Sequence, residues 1–180
     1  MKALIVCYSL TGNTKIIAQH LANDINADFV KLEEIPERTI ISAYTMGIFY
    51  SLRKKGSNIM PLEEGLSDYD TIILAGPIWA GNLTPAMYSF IRQYNLSNKV
   101  VYGLLTCKSL DSRDVAKIMR EELINVHADC RSIITLRADK QTIKSIKVGE
   151  MHFGFDENNK LRVEKIEDEN KYKVDNQEQN

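Results

Sequence analysis

Several residue patterns that mark common classes of protein are absent from this sequence of 180 residues. Its three cysteines are too few, and odd in number, for a disulfide framework. No C-x-x-C or H-x-x-x-H spacing occurs, so the chain lacks the closely paired ligands of a zinc motif and we expect no metal site. No apolar run approaches the roughly 20 residues that span a bilayer.

The charge of the chain is almost balanced, with 23 basic and 24 acidic residues and a formal net charge of −1. Proteins that bind nucleic acid or anionic lipid through electrostatics carry a marked positive charge. We therefore expect neither nucleic acid nor a membrane as a partner. The short apolar run at positions 4–7 meets Ser9 and Thr11 without a cleavage site, which indicates a core strand rather than a signal peptide. We expect reduced thiols and a cytoplasmic protein.

The common nucleotide-binding and phosphate-transfer motifs are also missing from the first turn, YSLTGNTK at positions 8–15. Gly12 is its only glycine, which excludes both the dinucleotide motif G-x-G-x-x-G and the triphosphate motif G-x-x-x-x-G-K-[ST]. Residues 1–8 contain no acid, which excludes the aspartate cluster of a response regulator. Asn13 stands where a cysteine-dependent phosphatase using Cys7 needs an arginine. His20, His127 and His152 have no clustered partner in the sequence, so we expect structural or exposed roles for them.

What is present is an alternation of strands and helices. Continuous apolar runs predict buried strands of a parallel sheet at residues 3–8, 28–32, 71–75, 100–105 and 132–136. Helical spacing predicts helices at 14–26, 43–55, 85–94 and 112–126. This pattern is typical of an α/β domain with a doubly wound sheet and helices on both faces, which we expect to occupy residues 1–150.

The last part of the chain departs from that rhythm. Residues 140–147 look too short and polar for a further helix, and a β-hairpin is predicted over residues 151–166 with its turn at 156–159. Such a hairpin could serve as a lid or a dimer contact. Residues 167–180 are polar and nearly free of apolar side chains, so we expect a disordered tail.

The turn after the first strand combines neutral hydrogen-bond donors with the start of a helix. Ser9, Thr11 and Thr14 supply hydroxyls, and Gly12 lets the backbone curl closely around a bound group. The unpaired N–H groups of the helix point into the turn and favour an anion. This pattern predicts a site for a phosphate monoester. The simpler alternative is a helix cap, for which the same residue types are suited.

The run S-x-T-G-N-T closely resembles the phosphate loop of the flavodoxin family, which wraps the phosphate of FMN. A second match, AGPIWAGN at positions 75–82, follows the third core strand, where the family places an aromatic residue on the isoalloxazine ring. The resemblance covers about residues 1–135 and implies the strand order 2-1-3-4-5. The cofactor-binding residues that it implies are Ser9, Leu10, Thr11, Gly12, Asn13 and Thr14 in the first loop, Pro77, Ile78, Trp79, Ala80, Gly81 and Asn82 in the second, and Thr106, Cys107 and Lys108 in the third.

The third loop, residues 104–114, matches the family poorly because it contains neither glycine nor an aromatic residue. Backbone donors at residues 106–108 are expected to reach the pyrimidine edge of the flavin. The second ring face is then left to Tyr44, Tyr50, a partner subunit or the substrate. Trp79, the only tryptophan, could alternatively be a core residue at a strand end.

Three functions remain open. One is a flavodoxin-type electron carrier that passes electrons to a redox partner protein. Another is an FMN-dependent reductase that uses NAD(P)H to reduce a quinone or a similar small acceptor, and it is favoured by the long crossover at 33–65. The third is a flavin-free protein of the same fold with an interaction role. A homodimer is compatible with each of them.

Overall fold

A five-stranded parallel sheet forms the centre of the computed structural model, which describes residues 2–63, 65–108, 113–147 and 150–165. Its strands are β1 (Ala3–Cys7), β2 (Asp28–Lys31), β3 (Thr71–Pro77), β4 (Val100–Cys107) and β5 (Asp129–Arg137). They are ordered β2-β1-β3-β4-β5, and every neighbouring pair is parallel. The predicted strand order and fold class are confirmed.

The helices are α1 (Asn13–Ile25), α2 (Ile40–Ser42), α3 (Ile48–Leu52), α4 (Pro85–Gln93), α5 (Arg113–Asn125) and α6 (Lys140–Lys147). A π-helical stretch, Ala43–Gly47, joins α2 to α3, so residues 40–52 form one continuous helical segment. The sequence predicted this helix three residues too late at both ends. A 3₁₀ turn, Leu66–Asp68, precedes β3.

The expectation that residues 140–147 are too short and polar for a helix is wrong. Asp139 caps α6 by accepting a hydrogen bond from the backbone N–H of Thr142 at 2.8 Å. Ser145 and Ile146 are buried on the inner side of the helix. Tertiary packing and a cap therefore stabilise a helix whose remaining residues are polar.

Side chains of the sheet alternate between two apolar layers. On β1, Leu4 and Val6 pack in the layer that contains residues of α4 and α5, whereas Ile5 and Cys7 pack in the layer that contains residues of α1. All five residues of β1 are buried. Both faces of the sheet are thus covered, as its continuous apolar strands require.

An antiparallel hairpin is present where the sequence predicts one, with β6 (Met151–Phe155) paired to β7 (Leu161–Lys165). Phe153 and Leu161 are buried in the same layer as α1. The hydroxyl of Tyr102 donates to the carbonyl of Asn159 at 2.9 Å, which joins the hairpin turn to β4. The division of the chain at residue 150 stays a prediction, and the predicted polar tail, 167–180, lies outside the described residues.

In the part of the chain that the structure describes, none of the helices combines the length and the apolar character needed to cross a bilayer.

Candidate functional site

A cavity of about 470 Å³ lies where the loops after β1, β3 and β4 meet, at the carboxyl edge of the sheet. Twelve of the fifteen residues predicted to bind a cofactor line it: Ser9, Leu10, Thr11, Asn13, Thr14, Pro77, Ile78, Trp79, Ala80, Thr106, Cys107 and Lys108. The other three, Gly12, Gly81 and Asn82, do not line it. Three loops that are far apart in the sequence therefore form one site, and open α/β sheets bind ligands at this edge.

The first loop turns directly into α1. Gly12 has φ +87°, a conformation that glycine adopts without steric cost, and α1 begins at the next residue. Thr14 is buried, and its hydroxyl lies 2.7 Å from that of Thr106, so one donates a hydrogen bond to the other. The backbone N–H groups of the first helical turn have no acceptor within the helix. This loop therefore presents neutral donors and is tied to the third loop.

The second loop is a tight turn. The N–H groups of Trp79 and Asn82 each donate to the other residue's carbonyl at 3.0 Å. The two central residues, Ala80 and Gly81, have φ of +47° and +72°, as a type I′ turn requires. Alanine at positive φ costs about 1 kcal/mol. Gly81 adopts the positive φ that the turn needs without steric cost, and it lies beside the cavity rather than in its wall.

The indole of Trp79 is half-buried and contacts residues from two other segments. The ring of Tyr8 meets it edge to face, with 5.8 Å between centroids. The guanidinium carbon of Arg38 lies 5.9 Å from the indole centroid. A Cβ added to Gly47 would lie 2.7 Å from Cζ3 of Trp79, so only glycine allows this approach. Trp79 is thus packed by the helical segment and also lines the cavity.

A buried ion pair holds these neighbours in place. Arg38 donates to both carboxylate oxygens of Glu34 at 2.7 Å, and the hydroxyl of Tyr8 donates to the same carboxylate at 2.5 Å. Burial acts to raise the pKa of Glu34, but hydrogen bonds to its charged form, from Arg38 and Tyr8 among others, hold it below its ordinary value. Burial and the adjacent Glu34 carboxylate raise the pKa of Tyr8, which therefore stays protonated. The sequence gives no signal of this network, because Tyr8 and Glu34 are 26 residues apart.

The outer wall of the cavity comes from residues that the sequence did not single out. Ile40, Ala43 and Ile48 of the helical segment line it, together with Ala138 after β5. Tyr44 lines it too, as expected, but Tyr50 does not. The sequence feature that could have identified these residues is the uncharged run 39–52, which predicts an apolar helix in the long crossover at 33–65.

Charge is scarce around the cavity. Among the described lining residues Lys108 is the only charged one, and it is exposed. Lys15 is exposed and does not line the cavity, in keeping with the expectation that it faces solvent. Residues 109–112 of the third loop lie outside the described part of the chain.

The cysteines are unpaired. Cys107 lines the cavity, and its Sγ lies 3.7 Å from the carbonyl of Leu136. Burial raises the pKa of Cys7 to about 12 and also raises that of Cys130. Cys7 and Cys130 are therefore packing residues without thiolate chemistry.

Comparison with known proteins shows which solved structures have a similar architecture. No protein-family model matches the sequence, and no curated protein matches it. Solved structures do match. A flavoprotein from Lactobacillus acidophilus NCFM in complex with FMN has a TM-score of 0.66 at 17% identity, covering 79% of this chain and 97% of that one. A provisionally assigned flavoprotein from Bacteroides uniformis has a TM-score of 0.68 at 20% identity, covering 79% and 95%.

The fold is flavodoxin-like. Oxidised flavodoxin 2 from Bacillus cereus matches as well, with a TM-score of 0.51 at 18% identity, covering 83% of this chain and 94% of that one. Because folds of this kind serve several functions, the function is inferred from the site. In the flavodoxin-like fold the carboxyl edge of the sheet, where this cavity lies, is the edge at which ligands bind.

Proposed function

We propose that this chain binds FMN in the cavity at the carboxyl edge of the sheet and transfers electrons through it to a small apolar acceptor. The convergence of three loops on one cavity carries the proposal, because twelve of the residues that the sequence singled out line it. A volume of about 470 Å³ lies within the range of about 300–1,000 Å³ of small-molecule sites. The FMN complex of the Lactobacillus protein, with the same fold, supports the choice of cofactor.

The lining residues suit the two parts of this cofactor. The hydroxyls of Ser9, Thr11 and Thr14 and the first N–H groups of α1 are the donors that would hold the phosphate. The half-buried indole of Trp79, with Ile78 and Pro77, offers an apolar wall for the ring system. When bound, FMN supplies reversible electron and hydride transfer. Around it, the chain's residues bind, orient and exclude water.

The scarcity of positive charge has an energetic consequence. Neutral donors leave most of the phosphate charge uncompensated, and a second negative charge developing nearby is then disfavoured. We expect this to lower the reduction potential of the bound flavin, with Lys108 acting in the opposite direction. A Lys108→Gln variant should therefore have a lower potential than the parent protein in a redox titration.

The apolar wall favours a reductase of small acceptors over an electron carrier. Ile40, Tyr44 and Ile48 line the cavity, and Ile40 and Tyr44 are also 59% and 65% exposed, so an apolar molecule can contact them from solvent. A quinone that receives electrons from NAD(P)H is an acceptor of the kind that fits this apolar surface. The alternative carrier requires a redox partner protein at the same place. The cavity itself counts against a flavin-free protein whose pocket has closed.

Binding is tested by titrating the purified protein with FMN and with riboflavin while following the fluorescence of Trp79. We expect FMN to quench it and riboflavin, which lacks the phosphate, to bind at least about tenfold more weakly, since a charge-assisted hydrogen bond contributes about 1.5–3 kcal/mol. Ser9→Ala should weaken the binding of FMN but not that of riboflavin. The matched Ser67→Ala, at an exposed serine outside the cavity, should change the affinity for neither ligand. Equal affinities for FMN and riboflavin would reject the phosphate site.

Activity is tested with the FMN-loaded protein, NAD(P)H and a soluble quinone in a steady-state assay. Continuous NAD(P)H oxidation that requires both FMN and the quinone supports the reductase. If the FMN-loaded protein does not oxidise NAD(P)H in the presence of the quinone, the electron carrier is the function that remains. Ile48→Ser should raise KM for the quinone more than it lowers kcat, because Ile48 contributes wall and not chemistry.

A further inference from the structure

Two side chains of α1, His20 and Asp24, meet a third from the distant hairpin, His152, on the side of α1. His20 and Asp24 lie one turn apart on α1, and His152 lies on β6. One ligand atom from each of the three side chains lies within 4.8 Å of the other two. No histidine has a clustered partner in the sequence, but the hairpin brings His152 onto the helix beside His20. The structural or exposed roles expected for the histidines stay predictions.

The cluster is held in place by the contacts that dock the hairpin. Oδ2 of Asp24 accepts a hydrogen bond from the backbone N–H of Phe153 at 2.8 Å. Nε2 of His20 lies 3.6 Å from the same oxygen, and Nδ1 of His152 lies 3.7 Å from Oδ1. Two imidazole nitrogens therefore approach one carboxylate whose position is set by the backbone of β6.

The three side chains differ in their exposure to solvent. His20 and Asp24 are 20% and 13% exposed, whereas His152 is 51% exposed. Because His152 is exposed while His20 and Asp24 are partly buried, an ion can reach the three side chains from solvent. Nε2 of His20 lies 2.6 Å from the carbonyl oxygen of Met151, to which it donates a hydrogen bond, so a metal ion on Nε2 would replace that proton.

We propose that His20, Asp24 and His152 bind a divalent transition-metal ion, with Zn²⁺ as the natural occupant. Two imidazoles and one carboxylate form a ligand set typical of zinc, cobalt and nickel rather than of magnesium or calcium. Bonds of about 2.0–2.1 Å require the ligand atoms to approach each other by about 1 Å, which side-chain rotation supplies. A water molecule completes the coordination, as in zinc sites with three protein ligands.

The site joins the hairpin to the helix that begins at the cavity. Its role is structural, because His20, Asp24 and His152 are not among the described lining residues of the cavity. A bound ion adds a link between α1 and β6 and stabilises the folded state by mass action. The proposal stands on observations separate from those that support FMN binding.

The test uses tag-free full-length protein, stripped of metal with a chelator and titrated with Co²⁺. We expect visible absorbance bands of a low-symmetry protein site, which Zn²⁺ abolishes by competition. His152→Asn should weaken binding by more than about tenfold, since even loss of an outer-shell partner costs 10–100-fold. The matched control is His127→Asn, at an exposed histidine with φ +58° that asparagine tolerates, and it should bind as the parent does.

Thermal unfolding with and without Zn²⁺ gives a second measurement. The ion should raise the midpoint of the parent and of His127→Asn, but not that of His152→Asn. Absence of cobalt bands, or equal binding by His152→Asn and the parent, would overturn the site and leave a simple ionic cluster. Because the exposed His152 is changed, misfolding does not confound the result. FMN affinity should be the same in all three proteins, which separates this outcome from that of the proposed function.

Discussion

The helical segment, residues 40–52, and the hairpin, residues 151–165, both carry large apolar side chains but use them in opposite ways. In the hairpin, Phe153 and Leu161 are 6% and 1% exposed. In the helical segment, Ile41, Phe49 and Leu52 are 79%, 44% and 58% exposed. One element completes the hydrophobic core, and the other presents its apolar residues to solvent.

The difference follows from which residues face inward. The buried residues of the helical segment are small: Ala43, Gly47 and Ser51, spaced four apart. They let the helix approach Trp79 closely, and the large side chains are left on the outside. Eight of the nine exposed large hydrophobic residues in the described chain fall between positions 35 and 60. Concentrations of exposed apolar residues are typical of binding surfaces, and we expect one here, whereas the hairpin covers the hydrophobic core.

The largest effect should come from comparing one phenylalanine in each element. Phe153→Ala removes a buried ring packed on α1 and should lower the free energy of unfolding by about 4 kcal/mol. Phe49→Ala, at a partly exposed ring, should lower it by less than about 1 kcal/mol. Chemical denaturation of both variants measures the difference. Equal losses would contradict the division of roles.

The next effect concerns the ion pair that anchors the start of the helical segment. Glu34→Gln leaves the buried Arg38 without its charged partner and should cost about 3 kcal/mol at neutral pH. The control, Glu33→Gln, breaks an exposed pair with Lys31 and should cost no more than about 0.5 kcal/mol. A small loss in Glu34→Gln would show that the carboxylate is dispensable.

The pH dependence of that variant has a definite sign. The pKa of Glu34 in the folded protein lies below its ordinary value of 4.5, so the unfolded chain binds the proton first as pH falls. The contribution of Glu34 is complete above pH 4.5 and is lost as pH falls through the lower folded pKa. The stability difference between the parent and Glu34→Gln should therefore narrow below pH 4.5, and a constant difference would contradict the shift.

A smaller effect is expected from one glycine in each element. Gly47→Ala forces Trp79 or the helix to move, because the new Cβ lies 2.7 Å from the indole, and it should cost about 2 kcal/mol and change the Trp79 emission. Gly154→Ala in the hairpin meets no atom within 4 Å and should be neutral or stabilising by up to about 1 kcal/mol. Similar losses in both variants would argue against close packing of Trp79.

The smallest effect is expected on the exposed face. Ile41→Ser should change the free energy of unfolding by less than about 0.5 kcal/mol, because the side chain is 79% exposed. The measurement is repeated over a hundredfold range of protein concentration. A loss of stability that grows with protein concentration would show that a second copy covers this face, as in a homodimer.

The sequence by itself determined the fold class and most of the site. Continuous apolar strands can be buried only in a sheet covered on both faces, and the residues after β1, β3 and β4 must then meet at one edge. The resemblance to the flavodoxin family, rather than the apolar pattern, assigned Ser9, Trp79 and Thr106 to one site, and in the structure they line one cavity. Local chemistry also predicted the hairpin, whose alternating apolar residues flank a polar turn.

Only the tertiary structure decided the contacts between segments that are distant in the sequence. The Tyr8–Glu34–Arg38 network, the approach of Gly47 to Trp79 and the meeting of His20 with His152 leave no periodic signal. Helix α6 belongs to the same class, since a cap and one buried face stabilise residues whose composition predicts a loop. Periodicity reports which face of an element is buried, but the partner on that face depends on how the elements pack together.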